Sequence, residues 1–323
     1  MKRLAKLEGE GNVVLEEASV PEISSTEVLI RAECSQISRG SEIWRRYSRR
    51  EAVDHRIMGY SMVGTIVQVG AQVRDLSMGE RVAALAPHAE YVSVEVTNSK
   101  NVPSVVSLPD SISSEAGTFW PLGTSSVMWM WEVDPQPDDT LVILGQGQVG
   151  SGCMQAAKAN SEARVIVVDA LDLRCDLAGE LGADEVVNIS EEDPVEAIKR
   201  LTDGRGAKIV VEAVGGRAGV GAFDQALDMT RAGGLIQVIG LYEEEPLPLH
   251  SGKIQGKRLV GGYLDRSKRT EGSDQSLQLL ADKKIHAEKM ISHRFQFDDA
   301  PEAFDLLYNR LGETMGVLLV WQA

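Results

Sequence analysis

The stretch "TLVILGQGQVGSGCMQAAKA", residues 140–159, decides the fold. Its opening, Thr140 to Leu144, is a short apolar run of the kind that forms a buried strand. The run stops at Gly145, and Gly145, Gly147 and Gly150 then stand in the spacing G-x-G-x-x-G ahead of a helix-forming segment. Such a triplet alone carries little weight. Here a second apolar run, "ARVIVVD", follows the helix and ends in Asp169, 19 residues after Gly150. Strand, glycine turn, helix, strand and terminal acid together form a dinucleotide-binding fingerprint. Gly145 permits the tight turn, Gly147 lets the backbone approach a pyrophosphate, and Gly150 lets helix and strand come close. The helix N-terminus then offers unpaired N–H groups to the anion. Asp169 suits the adenosine ribose hydroxyls and repels a 2′-phosphate, which favours NAD(H) over NADP(H).

The same alternation continues outward. From about residue 113 strands and helical segments take turns, with "AKIVVEAVG" and "GGLIQVIG" as further buried strands, so this part is α/β with a parallel sheet. In "EEDPVEAIKRLTDGRG", Asp193 is placed to cap a helix, Pro194 suits its first position and Gly204 its end. The first hundred residues instead read as strands punctuated by Gly, Pro and Asp: "VLIRAECSQIS", "MVGTIVQVG", "ERVAAL" and "AEYVSVEV". They form an all-β module, a small barrel. The tail "HRFQFDDAPEAFDLLYNRLGETMGVLLV" reads strand, helix, strand and is expected to return to that module. The expected domains are therefore 1–113 completed by 284–323, and 114–283.

At 323 residues the chain suits two domains, and 43% hydrophobic with 25% charged residues is a globular composition. A formal charge of −15 repels nucleic acid and anionic membranes, so neither is expected as the main partner. No apolar run approaches the roughly 18 residues of a membrane span. "MKRLAKLEGEG" lacks the apolar core of a signal peptide, and three scattered cysteines, Cys34, Cys153 and Cys175, give neither a disulfide framework nor paired metal-ligand spacing. A reducing cytoplasm is the expectation. One basic run, "WRRYSRR" at 44–50, reads as a solvated surface segment, with steering of an anionic substrate as its alternative.

In this order, "GERV", "AEYV", "PLGTSS", "GQGQVG", "LGADEVVN", "VVEAVGG", "RAGGLIQVIG" and "HRFQFDDAPEAFDLL" resemble the medium-chain dehydrogenase/reductase superfamily over nearly the whole chain. The resemblance implies a GroES-like catalytic β-barrel with a Rossmann doubly wound parallel sheet, an active site in the cleft between them, and hydride transfer at a nicotinamide. It implies backbone contacts from Gln148 and Val149 to the pyrophosphate, with Arg39 reaching it too, and Arg174 along the adenosine. Ala213, Val214, Ile239, Gly240 and Leu241 would line the cofactor cleft, and Thr124 would approach the nicotinamide. It also implies a homodimer, joined edge to edge through "KRLVGGYLD" (257–265) and its preceding loop.

Zinc members of this superfamily carry a Cys in a G-I-C-like turn, a His in a G-H-E triplet, and a third ligand before the Rossmann unit. In this sequence Ser38 of "SQISRGSE" stands at the Cys, Tyr60 of "GYS" at the His, and Trp120 at the third place. Neutral hydroxyls and an indole do not make the N/S/O set of a catalytic Zn²⁺. Nor is there room for a structural zinc lobe, since only six residues separate Val82 of "GERV" from Ala89 of "AEYV". The chain is expected to be zinc-free, nearest the polyol- and threonine-dehydrogenase-related and bacteriochlorophyllide dehydrogenase-like branch. Losing the metal removes a Lewis acid, so alcohol chemistry needs hydroxyl donors aimed at the carbonyl oxygen. Tyr60 and Ser38 are the candidates, with Ser41 as a relay and Tyr60 as a packing phenol in the alternative. Gly40 makes "SRGSE" one residue longer than the usual turn. His55, just before "GYS", is a further candidate for the cleft, whereas His88 and Cys34 read as structural.

The expected function is NAD-dependent, zinc-independent hydride transfer to or from a small-molecule secondary alcohol or ketone. Two alternatives stand beside it: a quinone or enoyl reductase, against which Asp169 counts, and a dinucleotide-binding protein without chemistry.

Overall fold

In the computed structural model, residues 1–96, 103–241 and 246–321 are described. By contact the chain divides into Met1–Pro121 with Arg269–Ala323, and Leu122–Lys268.

The second unit is built on six strands in the spatial order Glu185–Asn188, Arg164–Asp169, Thr140–Leu144, Ala207–Glu212, Thr230–Val238, Arg258–Gly261, every pair parallel. The chain enters at the central strand Thr140–Leu144, winds outward to one edge, then returns and winds to the other. That reversal makes the sheet doubly wound and opens a crevice beyond the carboxyl ends of Thr140–Leu144 and Ala207–Glu212. The central strands are buried on both faces, which is why they read as unbroken Val, Ile and Leu. Helix Pro194–Leu201 starts as its sequence indicates: Asp193 accepts the Glu196 N–H at 2.9 Å and Pro194 holds the first turn.

In the first unit the strands run Ile291–Gln296, Gly316–Val320, Glu27–Ile37, Met62–Val69, Arg81–Ala84, Val105–Ser107, and Tyr91–Glu95 pairs with Glu27–Ile37 as well. Gly316–Val320 pairs antiparallel with Glu27–Ile37, so the tail does return to the β-rich module. Leu4, Ile30, Ile37, Met62, Ile66, Phe304 and Val317 share its core. This unit reaches past residue 113 to Pro121 and takes the chain back at Arg269 rather than 284. The reason is local packing. Helix Ser114–Gly117 lies on strands Glu27–Ile37 and Met62–Val69, and the buried Trp120 donates its indole N–H to Ser273 Oγ at 2.9 Å.

Gly40 lies in the first turn of a helix of unusual winding. Arg39–Tyr47 forms a wide helix of the i→i+5 type, a rare form that often occurs at functional sites, with Ser48 N–H bonded to Ile43 O at 3.0 Å. Ile43 and Tyr47 are buried, and the Tyr47 ring lies 5.9 Å from Phe304 and 5.3 Å from Tyr308 of the tail helix Ala300–Asn309. The basic run is therefore only partly solvated: Arg45, Arg49 and Arg50 are exposed, but Arg46 is half-buried. Among the described residues no helix is long and apolar enough to cross a membrane.

Candidate functional site

The nucleotide half of the site lies within the second unit, at the reversal of the sheet. Gly145 has φ +94°, and a Cβ on Gly150 would sit 1.8 Å from Gly145 O. The glycine spacing thus reflects a helix drawn onto its strand more closely than any side chain permits. Helix Gln148–Asn160 follows, with Gly147 as its cap and no side-chain hydrogen bond at that end. A Cβ on Gly147 would meet only Arg174 Nη1, at 3.8 Å, so the backbone at Gly147 has room for the close approach of a phosphate.

Asp169 ends its strand as expected, but it is already engaged. Its Oδ2 accepts the Gln146 N–H at 2.6 Å, and its Oδ1 accepts the N–H groups of Ala170 at 2.8 Å and Leu171 at 3.0 Å. Two carboxylate oxygens offer about four acceptor positions, so ribose hydroxyls can still be served. Arg174 Nη1 lies 3.8 Å from Asp169, and burial pulls that guanidinium below its ordinary pKa.

Across the crevice, Ala213, Val214, Ile239, Gly240 and Leu241 are brought together by a residue that the sequence reading passed over. Glu212 is fully buried; its Oε1 accepts Val214 N–H at 2.8 Å and Gly215 N–H at 3.3 Å, while its carbonyl accepts Ile239 N–H at 2.9 Å and Gly240 N–H at 3.0 Å. Gly216 N–H closes the set onto Leu241 O at 2.8 Å. The available signal was an acid ending the buried run "KIVVE". Thr124 is buried early in helix Trp120–Val133. The dinucleotide fits these residues, since a Cβ at Gly147 would meet nothing nearer than Arg174 Nη1 at 3.8 Å and the helix start carries no side-chain cap.

The hydroxyl half lies within the first unit. Ser38 ends the strand Glu27–Ile37 and caps the wide helix; Tyr60 follows Gly59, whose φ of +109° and 2.8 Å approach of a would-be Cβ to His88 N require glycine. Tyr60 is half-buried, and Ser38 and Ser41 are the hydroxyls within reach of its phenol. Burial pushes that phenol up to about 12; Glu42 pushes the same way, and the two serines and Arg46 oppose it.

Beneath these groups runs a buried chain that the sequence reading did not assemble. His88 places Nε2 2.8 Å from Glu42 Oε2 and Nδ1 2.8 Å from Ser35 Oγ, and the His88 and Glu42 side chains are both 0% exposed. Glu42 Oε1 accepts the Ser38 N–H at 2.9 Å. His88 N–H bonds Met58 O at 2.7 Å, and its ring meets Phe304 edge-on at 6.1 Å. His88 therefore fastens the Ser38 turn to the Tyr60 turn. Ser61 is turned away into the wall, donating to Thr118 O. His55 does not join the cluster: its partners are Arg3 Nη1 at 3.0 Å and Asp54 at 3.6 Å, in a groove with Glu16, Val53 and Arg56. Arg39 lies over the Trp44 ring at 5.4 Å. Cys34 is buried, and its thiol is pushed far up by that burial.

Ser38, Tyr60 and Trp120, which the resemblance sets at the ligand places, are not a donor set that suits a zinc ion, and among the described residues no group of three His, Cys, Asp or Glu side chains is placed to hold a metal.

Two family models match the chain. The family model of the alcohol dehydrogenase GroES-like domain matches residues 24–120, and that of the zinc-binding dehydrogenase matches residues 149–281. The chain is 28% identical to L-threonine 3-dehydrogenase of Bacillus subtilis (strain 168), covering 99% of this chain and 98% of that one. It is 29% identical to sorbitol dehydrogenase of Bombyx mori over 98% and 97%. Alcohol dehydrogenase TADH from Thermus sp. ATN1 shares the fold, with a TM-score of 0.84 at 24% identity and full coverage of both chains. Fold, glycine cradle and relatives coincide, and the chain belongs to the zinc-type alcohol dehydrogenase-like, medium-chain dehydrogenase/reductase superfamily of nicotinamide-dependent oxidoreductases.

Proposed function

We propose that this chain is a zinc-independent, NAD(H)-dependent oxidoreductase that interconverts a secondary alcohol and its ketone. The observation that carries zinc independence is the set Ser38, Tyr60 and Trp120 at the ligand places, with the indole N–H of Trp120 committed to Ser273. The bound nicotinamide supplies or accepts the hydride. The chain's own residues then have to hold the reacting oxygen and manage its proton. A phenol raised to about 12 remains neutral at physiological pH, so Tyr60 is a hydrogen-bond donor to that oxygen as negative charge develops on it. Ser38 assists, and Ser41 links the site to solvent as a proton relay. The names of the relatives, threonine 3-dehydrogenase and sorbitol dehydrogenase, specify hydroxyl-bearing substrates and support the same class.

Asp169 supports NAD(H) over NADP(H), because an anion at the ribose position opposes a 2′-phosphate. Arg39 is assigned to the pyrophosphate. The protein is proposed to act in the cytoplasm as a homodimer, with Arg258–Gly261 as the contact: it is the edge strand of its sheet, flanked by Leu264 at 74% exposure. The loop before that strand includes residues 242–245, outside the described residues.

The test is NADH oxidation over a panel of ketones, quinones and enones, with Tyr60→Phe beside the unmutated chain. Ketone reduction that Tyr60→Phe slows by about 10²–10³-fold, at unchanged NADH affinity, is expected from the loss of one such donor. Activity on quinones or enones alone, or full ketone turnover by Tyr60→Phe, would overturn the assignment.

A further inference from the structure

We propose that the hydroxyl site contains an anion-binding subsite at Arg46, so that its substrate carries a carboxylate or phosphate group near the reacting oxygen. The inference rests on the proposed chemistry at Tyr60 and adds the class of substrate to it.

The chain as a whole is acidic, with a formal charge of −15, yet Arg39, Arg45, Arg46, Arg49 and Arg50 crowd into one segment. Arg45, Arg49 and Arg50 point into solvent, where positive charge is cheap to keep. Arg46 does not. It is half-buried, its Nη1 is covered, and among the described residues that nitrogen has no hydrogen-bond partner. A guanidinium nitrogen held away from water without an acceptor is costly, and native structures rarely leave one without reason.

The neighbouring carboxylate does not serve it. Glu42 stands four residues earlier on the same wide helix, but its oxygens hold the Ser38 N–H at 2.9 Å and His88 Nε2 at 2.8 Å, and neither is bonded to Arg46 Nη1. Arg46 stands five residues after Ser41, one turn further along the same wide helix. Its positive charge acts on the Tyr60 phenol, so it belongs to the same cluster of groups. A planar guanidinium with donors to spare, screened from bulk water beside a hydroxyl site, matches the paired oxygens of a carboxylate or phosphate.

The experiment uses the full chain with NADH and two matched pairs of ketones: acetoacetate against its neutral methyl ester, and dihydroxyacetone phosphate against dihydroxyacetone. The pairs separate carboxylate from phosphate as the source of the charge. Calorimetric binding of malonate and of inorganic phosphate, in the presence of NADH, provides a readout independent of turnover. Arg46→Gln is expected to lower the anionic-to-neutral ratio of kcat/KM roughly 10- to 100-fold for one pair, the range of a charged hydrogen bond. It is expected to weaken binding of the corresponding anion by a similar factor, and Arg46→Lys restores part of both. Equal losses on anionic and neutral ketones, or anion binding indifferent to position 46, would overturn the subsite. Absence of any ketone turnover together with anion binding that depends on Arg46 would overturn the oxidoreductase assignment and leave the subsite standing.

Discussion

Removing Glu42 is the substitution whose cost can be worked most directly from the structure. Its carboxylate and the His88 ring are both fully buried and 2.8 Å apart, and its other oxygen holds the Ser38 N–H. Glu42→Ala therefore strands a ring nitrogen and a backbone N–H at once, and fills neither place with water or packing. Leaving a buried hydrogen-bonding group without its partner typically costs about 1–3 kcal/mol, so losing two costs about 2–6 kcal/mol. For a unit of this size each kcal/mol moves the melting temperature by about 2–4 °C, so the expected drop is roughly 4–24 °C. His88→Ala should fall in the same range, because it leaves the carboxylate uncompensated and opens space beside Phe304. The double variant should be much less destabilised than the sum of the two, with a coupling of about 0.5–3 kcal/mol. Urea unfolding followed by circular dichroism measures all three. Single losses under about 1 kcal/mol, or strict additivity, would mean that the two side chains do not act as one clasp.

Three shorter tests address the cofactor and assembly. Gly150→Ala would put a methyl 1.8 Å from Gly145 O, so helix and strand must part; NADH affinity by fluorescence titration should fall sharply, and an unchanged dissociation constant would remove the close-packing role. Unmutated protein should bind NADH more tightly than NADPH by about 1–3 kcal/mol, the cost of an uncompensated polar or charged contact, and Asp169→Ser should narrow the gap. Equal affinities in the unmutated chain would refute that assignment. Light scattering at micromolar concentration should give the mass of a dimer, and adding a charge at the edge with Val260→Lys should shift it toward monomer; a monomeric mass for the unmutated chain would exclude the edge contact.

What could be read in advance was whatever depended on neighbours in sequence. "LGQGQVG" and Asp169 lie within one βαβ unit, so spacing alone fixes their geometry, and the parallel sheet and tail followed from hydrophobic period. Ser38 and Tyr60 were singled out by resemblance of their turns to family motifs, not by any spacing that fixes where their hydroxyls meet. The clasp was not legible. Glu42 and His88 are 46 positions apart, and nothing in "PHAEYV" says which acid its histidine will meet. The wide winding of Arg39–Tyr47 was hidden for a related reason, since Phe304 and Tyr308 pack against Tyr47 from the far end of the chain. Glu212 was hidden by its surroundings: a single acid closing a hydrophobic strand gives no hint that it will hold two loops by their N–H groups.

Metal content measured alongside turnover tests the zinc-free chemistry most directly. Elemental analysis of the purified chain should find no stoichiometric zinc, and NADH-dependent ketone reduction should be unchanged after exhaustive treatment with a chelator. One zinc per chain, with activity that disappears on chelation and returns with Zn²⁺, would contradict it and return the reacting oxygen to a metal.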